Sequence, residues 1–100
     1  MIFTMKKDIQ FDIGRVVATR GAHEEFDLFE IHQMLHRHAH GDWGNLEDED
    51  KRLNDEAVLD GSRILSRYDL SGDRSAYVIT EEADYLGRRS YTTVLLPSEY

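Results

Sequence analysis

The apolar residues change period partway along this 100-residue chain, and that change limits the fold more than any other feature. Between Ala22 and Leu59 they recur at three- and four-residue steps, the spacing of one helical face. From Arg63 to Leu96 they alternate with period two, the spacing of a strand half-buried in a sheet. A chain with two such regimes has helices to lay on a sheet. It belongs to the α+β class.

The pattern predicts a first strand over 13–19, rich in β-branched residues and closed by Arg20-Gly21. A helix follows over 22–38, with Leu28, Ile31, Leu35 and Ala39 as its apolar stripe, widened by Phe26, Phe29 and Met34. Acids in its first turn and His36, Arg37 and His38 in its last suit the helix dipole. A loop around Trp43, which lies between Gly41 and Gly44, is expected to wedge the indole against the core. A second helix is expected over 47–59, with Leu46, Leu53 and Ala57 as its seam and Gly61 as its C-terminal cap. Glu47/Lys51 and Asp48/Arg52 have the favourable i, i+4 orientation.

Three strands are then expected, over 63–70, 75–80 and 90–96, with a tight turn at Ser71-Gly72-Asp73 and a longer loop over 81–89. The expected order is β-α-α-β-β-β, one antiparallel sheet with both helices packed on one face. Residues 13–100 form a single domain, and 1–12 is a leader, disordered or an edge strand.

Cysteine is absent, which excludes disulfides, thiolate zinc sites and a cysteine nucleophile. Met1–Met5 is a short apolar run with Lys6 and Lys7 on its C-terminal side, the wrong order for a signal peptide and too short for a membrane span. The expected location is the cytoplasm, with no membrane partner.

Charge is unevenly placed. Twenty acids against twelve bases give −8, but residues 21–60 hold twelve acids against three bases. That segment repels a polyanion, so no direct nucleic-acid contact is expected from the helices. One reading is a solvated face that keeps the domain soluble. The other is functional: carboxylates spaced along helices imitate the phosphates of a duplex and compete for a basic, nucleic-acid-binding surface on a partner protein. The carboxylates that would do so are Glu24, Asp27, Glu47, Asp48, Glu49, Asp55 and Glu56, with Asp42 and Trp43 of the intervening loop also meeting the partner. Arginines at 15, 63 and 67 offer a weaker, opposite reading, a basic sheet face that meets RNA.

Catalytic patterns are missing. There is no GxGxxG, no GxxxxGK[ST], no HExxH, and no nucleophile elbow around Ser62, Ser66 or Ser90. Carboxylate pairs abound, but a glycosidase needs them across a cleft that a chain this short hardly offers. No cofactor is expected. The alternative to an acidic binding surface is a metal-responsive module built on His32, His36, His38 and His40, of which 32, 36 and 40 share a helical face.

A set of ordered landmarks points further. Gly14–Thr19 (GRVVAT), His40–Gly44 (HGDWG), Glu49-Asp50 with Asn54, Asp60–Ser66 (DGSRILS), Val78–Glu81 (VITE), and Thr92–Pro97 (TTVLLP) with Glu99-Tyr100 span residues 14–100. Together they resemble a family of small bacterial proteins described as plasmid-related, carried by plasmids, phages and other mobile elements. The segment 82–91 is longer here than the short acidic turn of that family. The resemblance supplies no catalytic residue. It implies a mobile-element accessory protein, and with it a counter-defence inhibitor of anti-CRISPR or anti-restriction type.

Overall fold

Four strands form one sheet in the order β1-β4-β3-β2, in a computed structural model that describes residues 8–100. Along the chain these are β1 (Arg15–Ala18), α1 (Arg20–Glu25), α2 (Leu28–Ala39), α3 (Asp48–Asp60), β2 (Ile64–Leu70), β3 (Arg74–Thr80) and β4 (Tyr91–Leu95). A short 3-10 turn, Pro97–Glu99, ends it. The α+β class stands, and the helix and strand boundaries lie within about two residues of the periodicity wherever an element was expected. Among the described residues no helix is long and apolar enough to cross a membrane.

Two expectations need correction. The sheet is mixed: β2, β3 and β4 pair antiparallel, but β1 runs parallel to β4, with Val16 opposite Thr92 and Ala18 opposite Val94. Short connections force β2, β3 and β4 to alternate in direction. The long crossover between β1 and β4 imposes no such restraint. The helix expected over 22–38 is two helices. Asp27 takes the amide of Glu30 at 2.8 Å while Glu30 takes the amide of Asp27 at 3.1 Å, a reciprocal capping box that starts α2 afresh. Phe26 is thereby held extended and turned into the core. The helices lie on one face of the sheet as expected, with α3 at its β2 end, where Ala57 meets Ile64. The core contacts of α1 and α2 run across one sheet face, whereas α3 meets the sheet chiefly along β2.

The leader or edge strand expected over 1–12 lies, for residues 1–7, outside the described residues. Residues 8–12 form no strand. Phe11 is buried beside Trp43 and edge-on to His38 (centroids 5.2 Å apart), and the amide of Gln10 donates to Ala39 O at 2.8 Å. The core thus reaches two residues further toward the N-terminus than position 13.

Register decides which residues are inside. Ile64, Thr80 and Thr92 lie across the strands in one row, Ser66, Val78 and Val94 in the next, and Tyr68 with Ala76 in a third. All of these are buried on the helix side. Phe26, Ile31 and Met34 fill the space above Tyr68, Ala76, Val78 and Val94, and a second cluster joins Phe11, Trp43, Ala57 and Ile64. On the opposite face Arg15 and Arg67 do share a side, but Arg67 is held by Asp69 at 3.0 Å.

The outer edge of β2 is sealed by polar contacts rather than by another strand. Buried Asn54 of α3 donates its amide to Leu65 O at 2.7 Å and accepts from Leu65 N at 3.3 Å. Two residues on, Arg67 N donates to Trp43 O and Arg67 O accepts from Asn45 N. Asn45 Oδ1 then takes the amide of Asp69 at 2.9 Å. This approach requires Gly44, whose φ of 78° favours glycine and whose missing Cβ leaves room for Arg67 O and the Tyr68 ring.

Replacing Asn54 by Ala leaves a buried peptide edge without partners, a loss of about 1–3 kcal/mol. The melting temperature of Asn54→Ala should fall by roughly 5–20 °C. A change within about 2 °C would show that the edge does not rely on this side chain.

Candidate protein-interaction surface

Helix α3 lies along the β2 edge with most of its surface exposed. Only Asn54 and Ala57 of its residues are buried, and with Glu47 at its N-cap it carries seven carboxylates against Lys51 and Arg52. Acids in the first turn are what the N-terminal end of the helix dipole favours, so local electrostatics explains why a run of four can be helical at all. Glu47 makes no capping hydrogen bond through its side chain. Neither i, i+4 pair expected from the sequence forms. Arg52 instead bridges Glu49 (2.6 Å) and Glu56, a fork that needs a guanidinium facing both neighbouring turns.

The nine residues expected to face a partner divide into two groups. All but Trp43 are exposed, and of these Glu24, Glu47, Asp48, Glu49 and Glu56 make no ion pair or hydrogen bond to another element among the described residues, the last four lying on or beside α3. Glu24 belongs to α1 and lies 3.5 Å from Arg20. The other four hold the fold together. Asp27 is the N-cap of α2. Asp42 accepts two hydrogen bonds from Arg37, at 2.7 and 3.2 Å, and one from Gly44 N, and the Arg37 contact holds its carboxyl below the usual range. The guanidinium of Arg37 in turn covers the Tyr68 ring, whose hydroxyl donates to Asp42 O at 2.6 Å.

Trp43 is the clearest correction. It is 5 % exposed, packed against Phe11 and His38, and its indole N–H donates to Asp55 Oδ1 at 2.9 Å. It wedges against the core as expected and is therefore withdrawn from any partner. Asp55 is tied to the same task.

The histidine cluster separates in the same way. His38 faces inward and is fully buried, whereas His32 and His36 are exposed. His36 and His40 stack with ring centroids 4.2 Å apart, and His40 Nδ1 lies 2.7 Å from His36 O. Among the described residues no three His, Cys, Asp or Glu side chains gather in a way that could hold a metal ion. His38 is removed from the set altogether.

What His38 does is join the layers. Its Nδ1 lies 2.6 Å from Ser66 Oγ and its Nε2 2.9 Å from Thr80 Oγ1; Thr80 meets Thr92 at 2.5 Å, and Thr92 donates to Ile13 O at 2.7 Å. The last bond fixes the direction of the rest. A carbonyl can only accept, so the Thr92 proton is spent there and Thr92 accepts from Thr80. Thr80 must then accept from Nε2–H, which leaves Nδ1 bare to accept from Ser66. The imidazole is a neutral Nε2–H tautomer, and burial, with the positive charge of Arg89 behind it, pushes its pKa down to about 3.

Sequence patterning also passes over Arg89, which stands in a loop yet is 5 % exposed. Its guanidinium donates to Ser62 O, Glu81 O and Ala57 O at 2.8, 3.1 and 3.0 Å, and lies over the Phe11 ring. It closes the C-terminal end of α3 and ties the loop over 81–89 to it, the role that the dipole gives a cation there. A single arginine in a polar loop carries no sequence signal for this.

Because the unfolded imidazole titrates near 6.5 and the folded one near 3, the unfolded state binds the extra proton between these values. Stability is complete above pH 6.5 and falls as pH drops toward 3, by at most about 1.4 kcal/mol per pH unit from this group. Urea unfolding between pH 7 and 5, above the range where carboxylates add the same trend, should show the loss. Nitrogen-15 shifts should report the Nε2–H tautomer unchanged across that range. A protonated or Nδ1–H ring would overturn the assignment.

The chain matches no family model, no curated protein and no solved structure, so its function is argued from the surface itself.

Proposed function

We propose that the protein is a non-enzymatic binding protein that presents α3 to a basic, nucleic-acid-binding surface on a partner protein. The observation that carries this reading is the exposure of α3. A helix whose seam needs only Asn54 and Ala57 has nearly its whole circumference available, and Glu47, Asp48, Glu49 and Glu56 occupy it. Glu47, Asp48 and Glu49 are consecutive and Glu56 lies about two turns on, so the four carboxylates span about 13 Å of axis at ~1.5 Å per residue. Duplex phosphates recur on a similar scale, about one per 3.4 Å of axis on each strand. A lysine- or arginine-lined channel meets the same sign and a comparable spacing of charge in both.

The Arg52 bridges do not cancel this field. Exposed ion pairs of this kind contribute at most about 1 kcal/mol and exchange readily with water and salt. An incoming guanidinium can replace Arg52 at Glu49 and Glu56 at little cost. Glu47 and Asp48 have no ion-pair partner among the described residues. Association is then steered by long-range attraction and weakens steeply with salt.

The likeness of the GRVVAT, HGDWG and TTVLLP landmarks to plasmid-related proteins supports a mobile-element setting. A counter-defence inhibitor of anti-CRISPR or anti-restriction type fits both that setting and the acidic helix. The metal-responsive alternative has no comparable support, since His38 belongs to the core.

DNA-cleavage assays with restriction and RNA-guided nucleases of a bacterial host should show inhibition that is lost as salt rises. The variant Glu47→Gln, Asp48→Asn, Glu49→Gln, Glu56→Gln should weaken inhibition at least about tenfold, the effect of losing roughly 1.4 kcal/mol. All four side chains are exposed, so its helical circular dichroism should persist. Inhibition that is absent at low salt, or equal in the variant, removes this reading.

A further inference from the structure

The two edges of the sheet are treated differently. The β2 edge is sealed by Asn54 and by the backbone of residues 43–45. The β1 edge has no such cover among the described residues. Arg15 N donates to Ser90 O and Thr19 N to Val94 O, so the odd-numbered peptides of this strand point toward β4. Alternation then points the N–H and C=O of Val16 and Ala18 outward. Val16 and Val17 are 42 % and 41 % exposed, on opposite faces of the strand. The strand contains neither proline nor a bulge, and these are devices by which natural edges avoid pairing.

We propose that this edge pairs with the same edge of a second copy, antiparallel about a two-fold axis through Val17, to make a continuous eight-stranded sheet. In that register Val16 of one copy faces Ala18 of the other, and the two exchange both peptide hydrogen bonds, twice over. Val17 packs on Val17. Arg15 comes opposite Thr19 of the second copy, on the face of the sheet that the helices leave open.

Charge complementarity favours a second copy over an unrelated peptide. Thr19 Oγ1 donates to Glu99 Oε1 at 2.6 Å, and the other oxygen of Glu99 accepts from Gly21 N at 3.1 Å, so a fixed carboxylate sits beside Thr19. No arginine or lysine reaches Glu99 within the protomer, and no carboxylate reaches Arg15, among the described residues. The two-fold axis brings each Arg15 toward the Glu99 that lacks one. It also keeps the acidic helices apart. Each α3 lies along β2, at the far end of its own half, so the two flank a sheet about 34 Å across at ~4.8 Å per strand.

The contact is one strand wide and so belongs to the weak class of interfaces. Sedimentation equilibrium of the full chain from about 10 µM to about 1 mM should show reversible association from 11.6 kDa to twice that mass. Val17→Lys places two ammonium groups face to face on the axis. Ala18→Pro removes only an outward-facing donor. Each should raise the dimer dissociation constant at least tenfold while the dilute monomer keeps its circular dichroism. Arg15→Glu should weaken the dimer in a salt-dependent manner, with Glu99 now repelled.

A dimer that survives both Val17→Lys and Ala18→Pro uses another surface and overturns the proposal. So does a monomer at about 1 mM, which would put the association at less than about 4 kcal/mol. In that case hydrogen exchange names the occupant: protected Val16 and Ala18 amides point to residues 1–7 of the same chain, and unprotected ones to an edge left for a different partner.

Discussion

The hydrogen-bonded chain through His38 is the contact on which the rest of the domain is hung. It runs Ser66, His38, Thr80, Thr92, Ile13 O, and so ties β2, α2, β3, β4 and the segment before β1 into one buried line. Thr80 and Thr92 each accept one bond and donate one, Ser66 donates, and the terminal carbonyl leaves a single consistent assignment. A core of leucine and valine at these positions would pack as tightly but would tolerate a strand shifted by two residues. The polar line does not, because a shift would strand several buried groups at once. It fixes register where hydrophobic burial alone would only fix which face points inward.

Much of this architecture is written in the order of residue types. Period two over Ile64, Ser66 and Tyr68 foretells their burial, and Gly61 ends α3 in the left-handed conformation its position implies. The capping box that divides α1 from α2 is also present in the sequence as Asp27 and Glu30. It is hidden by the unbroken apolar stripe from Phe26 to Met34, which is long enough to satisfy one continuous helix. Pairing is another matter. Nothing near Arg15–Ala18 says that its neighbour is Tyr91–Leu95, because that choice is made by three-dimensional closure of the sheet and not by any local preference.

Polar residues proved harder to place than apolar ones, for one physical reason. An isolated Asn, Asp, His or Arg costs free energy when buried unless it finds partners, and those partners lie far along the chain. Asn54 finds Leu65, Asp55 finds Trp43, His38 finds Ser66 and Thr80, and Arg89 finds Ala57, Ser62 and Glu81. None of these pairings shows in a count of charges. The acidic excess of residues 21–60 is therefore a sum over two populations. Asp27, Asp42 and Asp55 hold the structure, while Glu47, Asp48, Glu49 and Glu56 are free to face outward.

That division narrows the proposed binding surface to a single helix and gives the domain two unlike ends. At one end α3 lies along β2, and Asn54 spends its amide to close the sheet there. The backbone at that edge then offers no strand pairing, and what a partner meets is a charged helix. At the other end β1 presents peptide groups that are unpaired among the described residues, flanked by Arg15, in the part of the chain outside residues 21–60, which carries no net negative charge. Association by strand addition is short-ranged and directional. Association by a field of carboxylates is long-ranged and salt-dependent. Because the two occupy opposite edges of one sheet, the proposed pairing through β1 would still leave α3 open to the proposed basic partner. Neither contact has to displace the other.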